Sequence, residues 1–495
     1  MAYSLNTASE VELEPQCYRE AVASSSNKSL IEAMNEEMRS LQSNNTWVLV
    51  PKPKNQKLVG CKWIYKLKEP FEAGQKLRFK ARLVAKGFTQ QEGVDYTEIF
   101  APVVKHTSIR SMLVLAAIYD MELEQLDVKT AFLHGELNEK IYMKQPPGYI
   151  EKGKEDWVCF LKRSLYGLKQ SPRQWNLRFD LYVKGIGFKQ SKFDSCVYYK
   201  HEEGAEDVFL LLYVDDMLIS SKCMKQISEV KIQLKEEFDM KGLGAAKRIL
   251  GMEIIRNRKE KKLFLSQGSY IDKVLEKFGC SEIKSVSTPV TVQFKLSKDQ
   301  VPKTEEEKRY MSKLPYQSAV GSLMYLMICT RPDLAYAVSL VSRFMSEPGV
   351  EHWRAVKWIL RYLAGSRRVG LIFGKDSNDH INLQGYTDSD YAGDFDTRRS
   401  QSGFVFQLCG SSISWKSSLQ RVVTLSSTEA EYIGCTEAIK EAMWWKGLMK
   451  EFQLIINNVM VWCDNQSALC MSKNPVYHER TKHLDVKLHF IREVI

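Results

Sequence analysis

The most restrictive feature is Val208-Phe-Leu-Leu-Leu-Tyr-Val-Asp-Asp-Met-Leu-Ile-Ser-Ser221, where two adjacent aspartates interrupt an apolar, strand-forming run. An ionised carboxylate loses hydration as strands pack, so such a pair belongs at a bend or beside a compensating cation. The pattern therefore predicts a tight hairpin around 213–216 with Asp215 and Asp216 at its tip. Asp is also a common turn residue, and the pair alone reads as turn chemistry as readily as a cation site.

A second strand-like run, Met121-Glu-Leu-Glu-Gln-Leu-Asp-Val128, also ends on an acid, Asp127, and an aromatic, Phe132, follows five places later. If Asp127 and Asp215 end neighbouring strands, they can hold two Mg²⁺ ions ~3.5–4 Å apart. Mg²⁺ favours a few carboxylates together with substrate phosphates.

The 495 residues allow ~3 domains, and 44% hydrophobic with 26% charged residues excludes disorder along the whole length and a collagen-like or coiled-coil fibre. No apolar run reaches the ~18 residues of a membrane-spanning helix. The N-terminus lacks the basic-then-apolar layout of a secretion signal. The eleven cysteines are scattered singly without a C-x-x-C pair, which points to reduced, mostly buried thiols rather than a zinc site or disulfide framework.

Net charge is +11, but its placement is more informative. Between Lys52 and Lys86, eleven basic residues face only Glu69 and Glu72, a local +9 that marks a polyanion partner. Lys62, Lys66 and Lys68 alternate with Trp63, Tyr65 and Leu67, and Arg78, Lys80 and Arg82 alternate with Phe79, Ala81 and Leu83. Two strands with cations outward and apolar groups inward fit a hairpin that touches phosphate, or a solvated edge that discourages aggregation.

Residues 1–28 read as a weakly ordered lead-in, followed by helical spacing from Leu30 to Leu41. Further helices are predicted at 108–119 and 171–184, and helices plus a basic turn over 222–300. Two amphipathic helices over 317–345 and 351–363 are broken by Arg331-Pro-Asp333 and Glu347-Pro-Gly349. A boundary falls near 376–381. Beyond it come a strand (383–388), a hairpin (403–416), a long helix (427–451), a strand (459–464) and helices (465–473, 482–495), a mixed α/β succession.

Leu126-Asp-Val-Lys-Thr-Ala-Phe-Leu-His-Gly-Glu-Leu137, Ser164-Leu-Tyr-Gly-Leu-Lys-Gln-Ser-Pro-Arg-Gln-Trp175 and Tyr213-Val-Asp-Asp216 resemble polymerase motifs of copia-type LTR retrotransposon Pol polyproteins. So do Phe79-Lys-Ala-Arg-Leu-Val-Ala-Lys-Gly-Phe-Thr-Gln90, Ala319-Val-Gly-Ser-Leu-Met-Tyr325 and Thr330-Arg-Pro-Asp-Leu-Ala-Tyr336. The resemblance extends from about residue 30 to the C-terminus. It implies a right-hand polymerase, with fingers and palm over 29–221, a thumb-like region over 222–300, a connection over 301–380 and a ribonuclease H-like domain over 381–495. Asp127, Asp215 and Asp216 correspond to its metal-binding aspartates, and Phe132 to the aromatic that excludes a 2′-hydroxyl. Lys80 and Arg82 match the basic strand that meets the incoming triphosphate, the choice between them left open. Gln170 matches the segment along the template.

Four further acids stand at strand ends and helix starts: Asp388, Glu431, Asp464 and Asp485. Singly they are turn and helix-dipole residues. In this order they resemble the ribonuclease H tetrad, with Glu429 competing for the place of Glu431, and His478 and His483 as accessory groups. Two Mg²⁺ per site are implied, with Mn²⁺ as the substitute. The implied partners are an RNA template, a primer, an RNA–DNA hybrid and dNTPs, and the implied location is a cytoplasmic virus-like particle or the nucleus. The family's terminal helix normally continues past Ile495, so the resemblance implies a truncated copy. A non-catalytic relic that folds and binds nucleic acid is the rival expectation.

Overall fold

The computed structural model describes residues 14–54, 56–68, 78–374, 382–454, 456, 458–473, 490, 491, 493 and 494. Asp485, His478 and His483, and nearly all of the expected 482–495 helix, lie outside them. The chain divides into two units of mixed α/β structure. The first comprises the residues through Val104 with Glu124–Gln190 and Ser195–Gly244, and the second Lys105–Leu123, Ser191–Asp194 and Ala245 onward.

In the first unit, the expected basic hairpin is formed by Cys61–Lys68 and Arg78–Ala85, paired antiparallel with Ile64 opposite Arg82 and Lys66 opposite Lys80. Its parity holds. Trp63, Tyr65, Ala81 and Leu83 are buried, whereas Arg78 and Lys80 are exposed and Arg82 is half-buried. The helix Asn27–Ser43 lies under the apolar face through Leu30, Met34 and Leu41. Its buried Glu37 accepts a hydrogen bond from Leu83 N at 3.3 Å. The expected lead-in contains a helix of its own, Tyr18–Ala23, with Ala21 fully buried.

A six-stranded sheet carries the two acid-ended strands. Its order is Met240–Ala245, Glu122–Val128, Asp216–Ser221, Val208–Tyr213, Val197–Lys200 and Lys189–Gln190. The strands Val208–Tyr213 and Asp216–Ser221 pair with Tyr213 opposite Asp216, as the sequence pattern predicts. Their continuous apolar character reflects burial on both faces: Leu210, Leu211, Leu218 and Ile219 are inaccessible. The helix Ser171–Gly185 contributes Trp175, Phe179 and Val183 to the same core.

Over 222–300, which runs from the first unit into the second, the expected helices are present as Met224–Glu237 and Gly268–Lys277, and the departure is the set of strands between them. Met240–Ala245, Met252–Asn257 and Lys262–Ser266 are strands, and the cations of 258–262 cap the antiparallel turn between the last two. Two-residue alternation is present, with Met252, Ile254, Leu263 and Leu265 inward, but each run is too short to outweigh a helical reading. A helical core follows, built on Tyr316–Cys329, Ala335–Ser342 and Val350–Gly365. The Arg331-Pro-Asp break is a buried brace. Arg331 is fully buried, ion-paired with Asp333 at 2.7 Å and bonded to the Ser366 carbonyl at 3.0 Å.

The last part of this unit follows its predicted order. A sheet runs Ser411–Leu419, Gln401–Leu408, Leu383–Asp390 and Val459–Trp462. The first three strands are antiparallel, and the last is parallel to Leu383–Asp390. The helix Ser427–Glu451 packs closely on this sheet at Gly434, where an added Cβ would lie 2.6 Å from Ser389 Oγ. Among the described residues no helix is long and apolar enough to cross a membrane.

Candidate active sites

Asp127 lies near the end of Glu122–Val128, and Asp215 in the turn that leads into the adjacent strand Asp216–Ser221, at the same end of the sheet. Val128 N donates to the Asp215 carbonyl at 3.0 Å, which fixes the neighbourhood of the two acids. The turn between the paired strands is strained: Val214 has φ 56°, a left-handed conformation that a β-branched residue rarely adopts. Its carbonyl accepts a 2.5 Å hydrogen bond from the indole N–H of buried Trp175. That anchor holds the tip carrying Asp215. The Asp216 carboxylate accepts from Gln125 Nε2 at 3.4 Å.

Tyr166, a residue of the Ser164–Trp175 motif given no role from sequence, links this end of the sheet to the basic hairpin. Ala85 N donates to the Tyr166 carbonyl at 2.7 Å. The Arg82 guanidinium lies 4.5 Å over the Tyr166 ring, and Phe132 meets the same ring edge-on at 5.0 Å. Burial, reinforced by the charges of Asp215 and Asp127, pushes the Tyr166 phenol up to about 12. The hairpin reaches this position because Gly167 has φ +91° and no side chain; a Cβ there would fall 2.2 Å from the Ala85 carbonyl oxygen.

Lys80 is more exposed on the same strand. Gln170 departs from the expectation of a template-facing side chain. It is fully buried, with its amide donating to the Asp95 carbonyl at 2.9 Å and its side-chain oxygen accepting from Gln90 at 3.1 Å. It braces the surrounding loops, a role that the motif pattern alone does not reveal.

In the second unit, Glu431 is 6% exposed and accepts from Ser389 N at 3.1 Å through one oxygen. Its other oxygen is buried without a hydrogen-bond partner among the described residues. Burial, opposed by the Ser389 N–H and reinforced by Asp388, Cys463 and Asp464, raises its carboxyl to about 7. One ligand atom each from Glu431, Cys463 and Asp464 lies within 4.8 Å of the others. Asp388 acts on this group through its charge and is not one of the converging atoms.

Glu429, the competing helix acid, has another task. Its carboxylate accepts from Leu425 N at 2.7 Å while Ser426 Oγ accepts from Glu429 N at 3.2 Å, which caps the helix. Among the described residues, Asp127, Asp215 and Asp216 do not form a comparably tight three-donor group. They mark one end of a sheet, whereas Glu431 and Asp464 converge.

A family model described as reverse transcriptase (RNA-dependent DNA polymerase) matches residues 44–292. The chain is 53% identical over 97% of its length to the retrovirus-related Pol polyprotein from transposon TNT 1-94 of Nicotiana tabacum, covering 36% of that protein. It is 38% identical over its full length to the corresponding polyprotein from transposon RE1 of Arabidopsis thaliana, covering 33% of it. It is also 33% identical over 64% of its length to a putative transposon Ty5-1 protein of Saccharomyces cerevisiae, all of which it covers. The chain thus spans about a third of the length of the two polyproteins. With the acid-tipped hairpin and the motifs at 79–90, 126–137 and 164–175 inside the matched region, the chain belongs to the reverse transcriptase (RNA-dependent DNA polymerase) family and is a copia-type, retrotransposon Pol sequence.

Proposed function

We propose that the chain is an RNA- and DNA-directed DNA polymerase whose residues 381–495 form a ribonuclease acting on RNA paired to DNA. The observation that carries the polymerase reading is the junction of Val128 N with the Asp215 carbonyl, which sets two acids of distant sequence at neighbouring strand ends. In this reading the family's fingers and palm occupy 29–221, the thumb 222–300, the connection 301–380 and the ribonuclease H region 381–495. The parallel strand Val459–Trp462 beside Leu383–Asp390, with the long helix packed on that sheet, supports the last assignment.

Asp127, Asp215 and Asp216 would hold Mg²⁺ at the polymerase site; Asp388, Glu431 and Asp464 would hold it at the nuclease site, with Asp485 outside the described residues. The orphaned buried oxygen of Glu431 fits a cation, since an ionised carboxylate oxygen without a donor is costly to bury. Bound Mg²⁺ supplies activation of the attacking oxygen and charge stabilisation at the leaving group. Arg82, held over the Tyr166 ring, presents cationic charge toward a triphosphate, and Lys80 adds to the field from the same strand. Phe132, packed on the other part of Tyr166, is placed to test the sugar for a 2′-hydroxyl. The two activities suit each other chemically. Copying RNA leaves a hybrid whose RNA must be removed, and a near-A-form hybrid is recognised through its backbone and 2′-hydroxyls.

The test is primer extension on poly(rA)/oligo(dT) with Mg²⁺. Wild-type protein extends the primer, and Asp215→Asn, folded to the same Tm, loses at least ~100-fold because several kcal/mol of metal-held stabilisation disappears. Binding of the primer–template without extension by the wild type overturns the polymerase reading and leaves the inactive relic. Hybrid-specific RNA cleavage lost in Asp464→Asn is the matching test of the second site.

A further inference from the structure

The nuclease-site cluster contains sulfur, a donor for which a Mg²⁺ site has no use. Cys435 lies four residues beyond Glu431 on the helix Ser427–Glu451, so both project from one helical face. Cys463 and Asp464 directly follow the strand Val459–Trp462. The Cys435 thiol neighbours Cys463, and the two interact electrostatically. The Cys463 sulfur, a Glu431 oxygen and an Asp464 oxygen lie mutually within 4.8 Å. Glu431, 6% exposed, keeps an oxygen without a donor among the described residues.

We propose that Glu431, Cys435, Cys463 and Asp464 form a site for a thiophilic divalent cation of the Zn²⁺ and Cd²⁺ class. Two thiolates and two carboxylates make the four-donor set that tetrahedral Zn²⁺ accepts, with Zn–S ≈ 2.3 Å and Zn–O ≈ 2.0 Å. Those lengths place sulfur and oxygen ligands about 3.5 Å apart. The Glu431, Cys463 and Asp464 donors, already within 4.8 Å of one another, reach that spacing by side-chain rotation, and Cys435 joins them from one helical turn beyond Glu431. Hard Mg²⁺ selects oxygen and leaves the sulfurs unused, whereas soft thiolates select Zn²⁺ and its heavier relatives. Binding releases both thiol protons to solvent, so affinity for the ion rises with pH. The cation takes Glu431 and Asp464 away from the Mg²⁺ set. Inhibition of hybrid cleavage by Zn²⁺ is therefore a consequence that rests on the nuclease reading, whereas the binding itself does not.

The full-length, reduced protein in excess Mg²⁺ is titrated with Cd²⁺ while the ultraviolet sulfur-to-cadmium charge-transfer band is followed. Wild type gives a saturating band from one equivalent of Cd²⁺ and a raised Tm, since a ligand of the folded state stabilises it by mass action. Cys463→Ser halves the band, and the Cys435→Ser/Cys463→Ser double variant abolishes it. Cys17→Ser/Cys470→Ser, which removes two exposed thiols, leaves it intact. Glu431→Gln weakens the affinity about tenfold or more while preserving the band. A band that persists in the double variant, or a wild-type Tm unmoved by Cd²⁺, overturns the proposal. The Tm measurement on wild type decides the matter even if the double variant fails to fold. In a separate arm, Zn²⁺ inhibits Mg²⁺-dependent hybrid cleavage, and Cys435→Ser raises the Zn²⁺ needed about tenfold. Absence of cleavage by the wild type defeats the nuclease reading while the cadmium band still reports the site.

Discussion

Glu431 titrates near pH 7 in the fold and near 4.5 when unperturbed. Its protonated form is the one the folded chain prefers, so the associated stability is complete below about 4.5 and is lost as pH rises through about 7. Glu431→Gln removes this dependence. Its Oε1 keeps the hydrogen bond from Ser389 N, and its amide can face Asp464 without charge repulsion. At pH 8 and without divalent metal, the variant is expected to be more stable than wild type by an order of 2–3 kcal/mol, read as a higher Tm. Adding Mg²⁺ raises the wild-type Tm and narrows that gap. A wild-type Tm that does not fall between pH 5 and 8 would contradict the assignment. Residue-scale chemistry of this kind was only half legible in the sequence. The acids at 388, 431 and 464 were visible as strand-end and helix-start residues. The pairing of Cys435 with Cys463, 28 positions away, exists only once the helix and the strand have met.

At the scale of elements, the Val214 turn shows how a scaffold maintains a costly backbone. A left-handed Val costs of order 1–3 kcal/mol and persists because surrounding structure determines it, here through the Trp175 indole. Trp175→Phe retains most of the apolar volume in the core but deletes the donor. Loss of that hydrogen bond is expected to lower Tm by a few degrees, in line with ~1 kcal/mol. It should lower primer extension by at least ~10-fold, because a small displacement of a catalytic group is expensive. Equal losses in stability and activity, with no excess in the latter, would refute a positioning role. The hairpin itself was readable because seven apolar residues precede the Asp pair and apolar residues resume immediately after it. The basic hairpin was readable through parity. Residues 240–266 were not, since their strands are short and interrupted by Gly242, Gly244 and Gly251. Tyr166 was quoted within a motif, yet its contact with Arg82 depends on a close backbone approach permitted by Gly167.

For the whole molecule, the excess of cations in 52–86 predicts binding to nucleic acid that weakens steeply with salt. Lys80→Ala and Arg82→Ala should each reduce the log–log salt slope by about one where a phosphate contact is lost. Arg82→Ala should further raise the KM for dNTP about tenfold or more, since its guanidinium also leans on Tyr166 beside the acids. Salt slopes unchanged in both variants would assign the hairpin to solvation alone. The mixed α/β class and the order of elements after residue 381 were legible because strand and helix periodicities there are long and clearly bounded. The division of the chain into two interleaved sets of segments was not, because nothing in local patterning reports that Lys105–Leu123 belongs with residues beyond 245.

The parallel neighbours Leu383–Asp390 and Val459–Trp462 are separated by a hairpin and a long helix. Parallel pairing across such a separation forms late, after loop closure has been met. During synthesis, a nascent chain that has reached residue 450 carries Asp388 and Glu431 but lacks the strand that delivers Asp464. On the proposed nuclease reading, the order of the strands thus makes the completed acid cluster one of the last features of this region to assemble.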